Sequence, residues 1–225
     1  MSYSIESITE SIGARRMGNA PATIDWLLTD SRSLNFPEET LFFALTTKRN
    51  DGARYIADLY ARGVRNFVLS EESFRLMDNG QLTIDNAMQR DDAQSIVNYL
   101  IVPNPLKALQ KLAEQHRNRF QIPVIGITGS NGKTVVKEWL HQLLSPERAI
   151  IRSPRSYNSQ IGVPLSVWQM NEQSELAIFE AGISEPGEMR ALQNIIKPTI
   201  GILTNIGGAH QENFFCVSRR NAWRS

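Results

Sequence analysis

The chain has 225 residues, enough for one substantial core or two modest ones, and its 24 Lys and Arg against 23 Asp and Glu leave a formal charge of +1. That balance lacks the basic excess with which nucleic-acid-binding domains neutralise phosphates, so no nucleic-acid partner is expected. One cysteine, Cys216, excludes an intrachain disulfide framework and a thiolate metal cluster. The polar start MSYSIESITESIG has no signal-peptide character, and no run approaches the roughly 20 apolar residues that span a bilayer; a cytoplasmic protein with no membrane partner is expected.

In chain order, Ile5, Ile8 and Ile12 predict one face of a short helix ended by Gly13. TDSRS (29–33) follows; Asp30, Ser31 and Arg32 read either as a turn closed by a salt bridge or as the holder of an anionic ligand. LFFAL (41–45) predicts a buried strand, ARYIADLYARG a helix with Ile56, Leu59 and Tyr60 inward and a stop at Gly63, and NFVLS the next strand. IVNYLIV (96–102) predicts a further strand. Asn104 before Pro105 is a helix N-cap with proline at the first helical position, ahead of the stripe Leu106, Leu109, Leu112 and Ala113. A domain boundary is expected near residue 105.

From residue 122, PVIGIT, LAIFEAG and PTIGILTNI predict strands, and TVVKEWLHQLL and PGEMRALQNII the helices that alternate with them. That alternation implies a mainly parallel sheet covered on both faces, with ligands beyond the carboxyl ends of its strands. Thr128, Glu180 and Asn205 with His210 all follow such ends. Glycines 126, 129 and 132 suggest a tight turn with backbone N–H groups aimed outward at the mouth of a helix, which attracts phosphate. There Lys133 reaches β and γ phosphates and the Thr134 hydroxyl ligates magnesium. The match is GxxGKT, since Ile127 stands where the full nucleotide-loop pattern has glycine; a purely structural turn is the alternative. The dinucleotide fingerprint is not met, which argues against hydride chemistry.

Glu180 at the end of LAIFE is placed to hold magnesium, or else caps a helix. His210, after Gly207 and Gly208, is a candidate metal or phosphate partner. RSYNSQIGVP (155–164) reads as a loop whose Asn158 and Gln160 amides orient oxygens, or as a capped helix start. His116 and His141 read as exposed helix residues without a role. After IGGAHQENFF the text CVSRRNAWRS carries no periodicity and reads as an atypical tail, 216–225.

Taken in order, TDSR, LFFAL, NDGARY, ITGSNGKT, SYNSQIGVP, FEAG and NIGGAH resemble the motifs of the ATP-dependent Mur ligases of bacterial cell-wall synthesis. Within that family VPNPLKALQKLA, the KE after the loop and YNSQIGVPLS look most like the member that adds D-alanyl-D-alanine to UDP-N-acetylmuramoyl-tripeptide; members that add a single amino acid are the nearest alternative, and a noncatalytic P-loop module the more distant one. The resemblance implies an α/β fold in which a small N-terminal substrate domain (1–105, with linker) precedes an incomplete P-loop-type central domain (106–215). It implies a UDP-precursor site at Ser31, Arg32, Asn50, Asp51 and Gly52. ATP would bind through Gly129, Ser130, Asn131, Gly132, Lys133 and Thr134, and Mg2+ through Thr134, Glu180 and His210, with Lys133, Asn158 and His210 catalytic. Family chemistry runs through an acyl phosphate. The family's carbamylated lysine and C-terminal domain have no counterpart here, so a fragment that binds precursor without catalysing ligation is expected.

Overall fold

The computed structural model describes residues 1–47, 50–78, 96–183 and 187–207. The chain divides into two compact units, Met1–Leu112 and Ala113–Ser225.

In the first unit β1 (Tyr3–Ser4) leads into α1 (Ile5–Ile12), where the Ser4 side chain accepts from Ser7 N and Gly13, at φ 69°, closes the helix. Ile5, Ile8 and Ile12 are its buried face, as their spacing predicts. There follow β2 (Arg15–Met17), β3 (Thr23–Ile24), β4 (Trp26–Leu28), β5 (Thr40–Phe43), the short pair β6 (Thr46–Thr47) and β7 (Asn50–Asp51), α2 (Ile56–Ala61), β8 (Asn66–Ser70), α3 (Glu71–Asp78) and β9 (Asn98–Val102). The main sheet has the order β2-β9-β8-β5-β4, parallel except for β2. Phe42, Phe67, Leu69 and Ile101 share one core cluster with Ile56 and Leu59 of α2 and Met77 of α3. Leu41, Phe43, Val68 and Leu100, of opposite parity, are just as buried, so both faces of the sheet are covered. Because β4, β5 and β8 are parallel, the segments that follow them leave from one edge. Asp51 joins two of these segments, accepting from Ala53 N at 3.0 Å and from Ser73 Oγ at 3.1 Å.

Next comes α4 (Pro105–Arg117), capped as expected by Asn104, whose Oδ1 accepts from Lys107 N at 3.0 Å. The second unit is built on β10 (Val124–Thr128), α5 (Lys133–Leu144), β11 (Ile150–Arg152), α6 (Gly162–Val167), β12 (Leu176–Glu180), α7 (Glu188–Ile196) and β13 (Ile200–Leu203). Its sheet is wholly parallel with the order β11-β12-β10-β13. Strand residues alternate between two clusters: Ile125, Ile127, Leu176 and Ile178 pack with Val136, Leu140 and Leu144 of α5. Val124, Ala177 and Phe179 pack with Val163 and Val167 of α6 and Leu192 and Ile195 of α7.

That alternation has a topological consequence. From β10 the chain crosses one face through α5 toward β11; from the adjacent β12 it crosses the other face through α7 toward β13. Neighbouring strands whose connections part to opposite faces leave a crevice beyond their carboxyl ends. Among the described residues no helix is long and apolar enough to cross a membrane.

Candidate phosphate and metal site

The crevice is bordered by the turn 129–132 after β10 and by the tip of β12. Gly132, at φ 81°, is the N-cap of α5. Gly129, at φ 140°, has no room for a side chain: a Cβ would stand 2.0 Å from Thr204 Oγ1. Gly126 lies inside β10, and a Cβ there would meet Pro198 Cβ at 3.0 Å, so its missing side chain admits that neighbour; this corrects the expectation that it belongs to the turn.

The turn is fastened from behind by the segment after β13. Ser130 N donates to Asn205 O at 3.0 Å and Asn131 N to Asn205 Oδ1 at 2.8 Å. The Ser130 hydroxyl donates to Gly207 O at 3.1 Å and accepts from Gly207 N at 2.8 Å, and Thr204 Oγ1 donates to Asn131 O at 2.5 Å. Two N–H groups expected to face outward are thus spent on Asn205, which acts as an anchor of the turn. What the turn presents is the amino end of α5, the positive end of its dipole, with no acidic residue in the first helical turn. Lys133 Nζ donates to Gly129 O at 2.9 Å, which curls the ammonium back over the turn.

Thr134 and Glu180 meet. Thr134 Oγ1 donates to Glu180 Oε2 at 3.0 Å and lies 3.3 Å from Ser156 Oγ. Glu180 ends β12 beside Ile127 of β10 and shares the parity of Leu176 and Ile178, so it faces α5, and its side chain has no exposed surface. Its backbone N–H bonds Ser153 Oγ at 3.2 Å. Lys137, equally buried, stands 2.9 Å from Glu180 Oε1 and donates to Ser153 O at 2.8 Å and to Arg155 O. Among the described residues Oε1 therefore has the Lys137 ammonium as its counter-charge and no other donor. A buried carboxylate beside a hydroxyl at the positive end of a helix is an oxygen donor set that suits a hard divalent cation such as Mg2+. Among the described residues no cluster of three or more His, Cys, Asp or Glu forms an all-protein cage. A magnesium ion typically draws its remaining ligands from water and substrate phosphate.

Asn158 accepts from Gly182 N through its backbone oxygen at 2.8 Å, and a Cβ at Gly182 would stand 3.0 Å from Asn158 Oδ1, so a larger residue there would push the Asn158 side chain aside. This ties the loop after β11 to the tip of β12. Gln160 Nε2 donates to Glu188 O at 3.2 Å. Of the two readings of 155–164, a loop or a capped helix start, its end takes the second: the chain becomes helical at Gly162, where Ser159 Oγ and Ser159 O accept from Gly162 N and Val163 N. His210 and the tail 216–225 lie outside the described residues.

Of the remaining candidates, Arg32 forks onto Asp30 at 2.9 and 2.6 Å, and this ion pair holds the Asp30 carboxyl below the usual carboxylate range. Ser31 O accepts from Arg62 Nη1 at 2.8 Å. Both follow β4, while Asn50, Asp51 and Gly52 follow the neighbouring β5; Gly52 packs so tightly that a Cβ would be 2.7 Å from Leu45 N. The histidine readings need correction. His116 is buried between Phe120 and Trp168, bonds Met170 O at 3.0 Å, and burial pushes its pKa down to about 4. His141 is half-buried, and burial, then the charge of Arg152, lowers its pKa. Sequence reasoning missed Lys137, although a lysine at the i, i+3, i+7 positions of a stripe continued by Leu140 and Leu144 is a signal of burial.

A glycine turn between a buried strand and a helix, at the switch point of a parallel sheet and with a hydroxyl and a carboxylate at its mouth, defines a P-loop-type α/β domain. Residues 127–219 match the family model described as the Mur ligase middle domain. The UDP-N-acetylmuramoyl-tripeptide--D-alanyl-D-alanine ligase of Borreliella burgdorferi is 33% identical over 198 residues, covering 87% of this chain and 40% of that protein. The enzyme of the same name from Bacillus subtilis is 30% identical over 190 residues, covering 84% and 37%. Among solved structures, the MurF ligase of Thermotoga maritima in complex with ADP superposes with a TM-score of 0.69 at 27% identity, covering 88% of this chain and 41% of that one. MurF from Acinetobacter baumannii shares the fold at a TM-score of 0.82 and 23% identity, over 100% of this chain and 45% of that one. The chain belongs to the Mur ligase family. It spans about two fifths of the length of the curated relatives it matches.

Proposed function

We propose that this chain carries the ATP-grasping and precursor-holding residues of a ligase that joins D-alanyl-D-alanine to UDP-N-acetylmuramoyl-tripeptide. The observation that carries the reading is the meeting of Thr134 and Glu180 at 3.0 Å, beside the turn and Lys133, in a chain whose similar relatives bear that enzyme's name.

A carboxylate is a poor electrophile for an amine, so the ligation needs activation: the tripeptide carboxylate attacks the γ phosphate of ATP with release of ADP, and the amine then displaces inorganic phosphate from the acyl phosphate and gives up a proton as the amide forms. In-line transfer of this kind asks the protein chiefly for positioning and for positive charge on the transferring group. The amino end of α5 and the Lys133 ammonium, with Gly129, Ser130, Asn131 and Gly132 shaping the turn, hold the polyphosphate. Thr134 and Glu180, with His210, would hold Mg2+, which when bound neutralises charge on the phosphate oxygens. Asn158 orients substrate oxygens from the loop pinned to Gly182. In the first unit Ser31 and Arg32 with Asn50, Asp51 and Gly52, from segments that leave one sheet edge, receive the UDP portion of the precursor. Arg32 is the anion partner, since a phosphate can replace Asp30 on its guanidinium fork.

The test is a ligation assay, on a ligase of full family length that carries these residues, which supplies ATP, magnesium and UDP-N-acetylmuramoyl-tripeptide and compares D-alanyl-D-alanine with meso-diaminopimelate and L-lysine as acceptors, beside calorimetry of each nucleotide. Preference for D-alanyl-D-alanine is expected. Preference for a single amino acid would move the protein to a neighbouring member of the family, and ATP binding without affinity for the UDP precursor would remove the ligase reading.

A further inference from the structure

Lys137 has no exposed surface and lies on the face of α5 that packs against the sheet, one helical turn beyond Lys133. A buried ammonium is stable only where its charge and its hydrogens find partners. Here Nζ donates to Ser153 O at 2.8 Å and to Arg155 O, and stands 2.9 Å from Glu180 Oε1 and 3.2 Å from Glu138 Oε1. One cation held by α5 therefore gathers two carbonyls from the segment after β11 and the carboxylate at the tip of β12. Arg155, at φ 48°, takes the left-handed conformation that residues with a Cβ rarely adopt, and its carbonyl is one of those two. The same segment supplies Ser153 Oγ to Glu180 N and Ser156 Oγ near Thr134.

We infer that Lys137 is a positioning residue for Glu180. It supplies the counter-charge that lets a fully buried carboxylate keep one orientation, with Oε1 against the ammonium and Oε2 on the Thr134 hydroxyl. Glu138 does not compete for this role. Its side chain is about one-third exposed and already takes Arg152 at 3.1 Å. Lys137 touches neither nucleotide nor acceptor in this scheme; it acts through Glu180. The inference rests on the nucleotide-site reading proposed above.

The test uses the full chain with Lys137→Met, Glu180→Gln and the double variant. In metal-free buffer Lys137→Met is expected to lower Tm by about 10 °C, because it strands a buried carboxylate. Adding Glu180→Gln should recover most of that loss. Calorimetry should show that the enhancement of ATP affinity by magnesium falls at least about tenfold in Lys137→Met, the usual effect of removing a group that orients a metal ligand. A double variant as unstable as Lys137→Met, or magnesium enhancement equal to wild type in Lys137→Met, would overturn the inference. If Lys137→Met does not fold, the double variant decides: recovery of a cooperative melt supports the pairing, and failure to recover refutes it. Wild type without magnesium enhancement would sink the nucleotide-site reading and this inference with it, a result reported by a different protein from the one that would sink the inference alone.

Discussion

Thr134 and Lys137 lie three residues apart on α5 and both reach Glu180, one through a hydroxyl hydrogen bond at 3.0 Å and the other through charge at 2.9 Å. Lys133 is different, because its bond runs to Gly129 O within the turn and its side chain is only half-buried. If the proposed reading holds, Lys133→Ala should therefore weaken ATP binding at least about tenfold and, in a ligase of full family length that carries these residues, slow ligation by about 10² to 10³, while Tm moves by no more than a few degrees. A collapsed melt would assign Lys133 to folding. His116 makes the opposite kind of prediction, about stability alone. Burial lowers its pKa from 6.5 to about 4, so the folded state keeps it neutral where the unfolded chain takes up a proton. The contribution is whole above pH 6.5 and is lost as pH falls toward 4, a difference on the order of 3 kcal/mol. Urea titrations across that range should show stability rising with pH in wild type, and a flatter profile in His116→Gln.

At the scale of elements the turn 129–132 depends on a segment some 75 residues away, since Asn205, Thr204 and Gly207 take up its backbone groups. Gly129→Ala tests that dependence. The new Cβ would overlap Thr204 Oγ1 at a backbone angle of φ 140°, so a cost of at least about 2 kcal/mol is expected together with loss of ATP affinity. Equilibrium denaturation and calorimetry on the same sample would measure both, and an undisturbed variant would mean that the turn is not held by the segment after β13. The loop after β11 shows the same reliance on distant partners: its serines and asparagine look local in sequence, yet they fasten Glu180, Gly182 and Thr134.

In the whole molecule each unit has its own sheet, mainly parallel in the first and wholly parallel in the second, and in each the candidate residues follow the carboxyl ends of parallel strands. If the two ligands are divided between the units as proposed, single substitutions should separate them. Arg32→Ala, at a side chain 87% exposed, should weaken UDP-precursor binding by about tenfold with ATP affinity and Tm unchanged. Lys133→Ala should do the reverse. Titrating both variants with both nucleotides checks this, and equal loss of both affinities in either variant would contradict the division.

What the sequence determined by itself was local. The isoleucine spacing of α1, the Asn104–Pro105 cap, the apolar runs of β5, β8, β10 and β12, and the glycines of the turn each follow from preferences within a few residues. So did the placement of Thr134 and Glu180 at the ends of elements. Whether those ends meet was decided by topology, because only the strand order β11-β12-β10-β13 brings the tip of β12 beside that of β10. The same holds for Gly126 against Pro198, for His116 among aromatic rings and for Lys137 under Glu180. Burial of a polar side chain is set by what packs over it, and its partners here come from strands and loops far along the chain, where neighbouring residues carry no record of them.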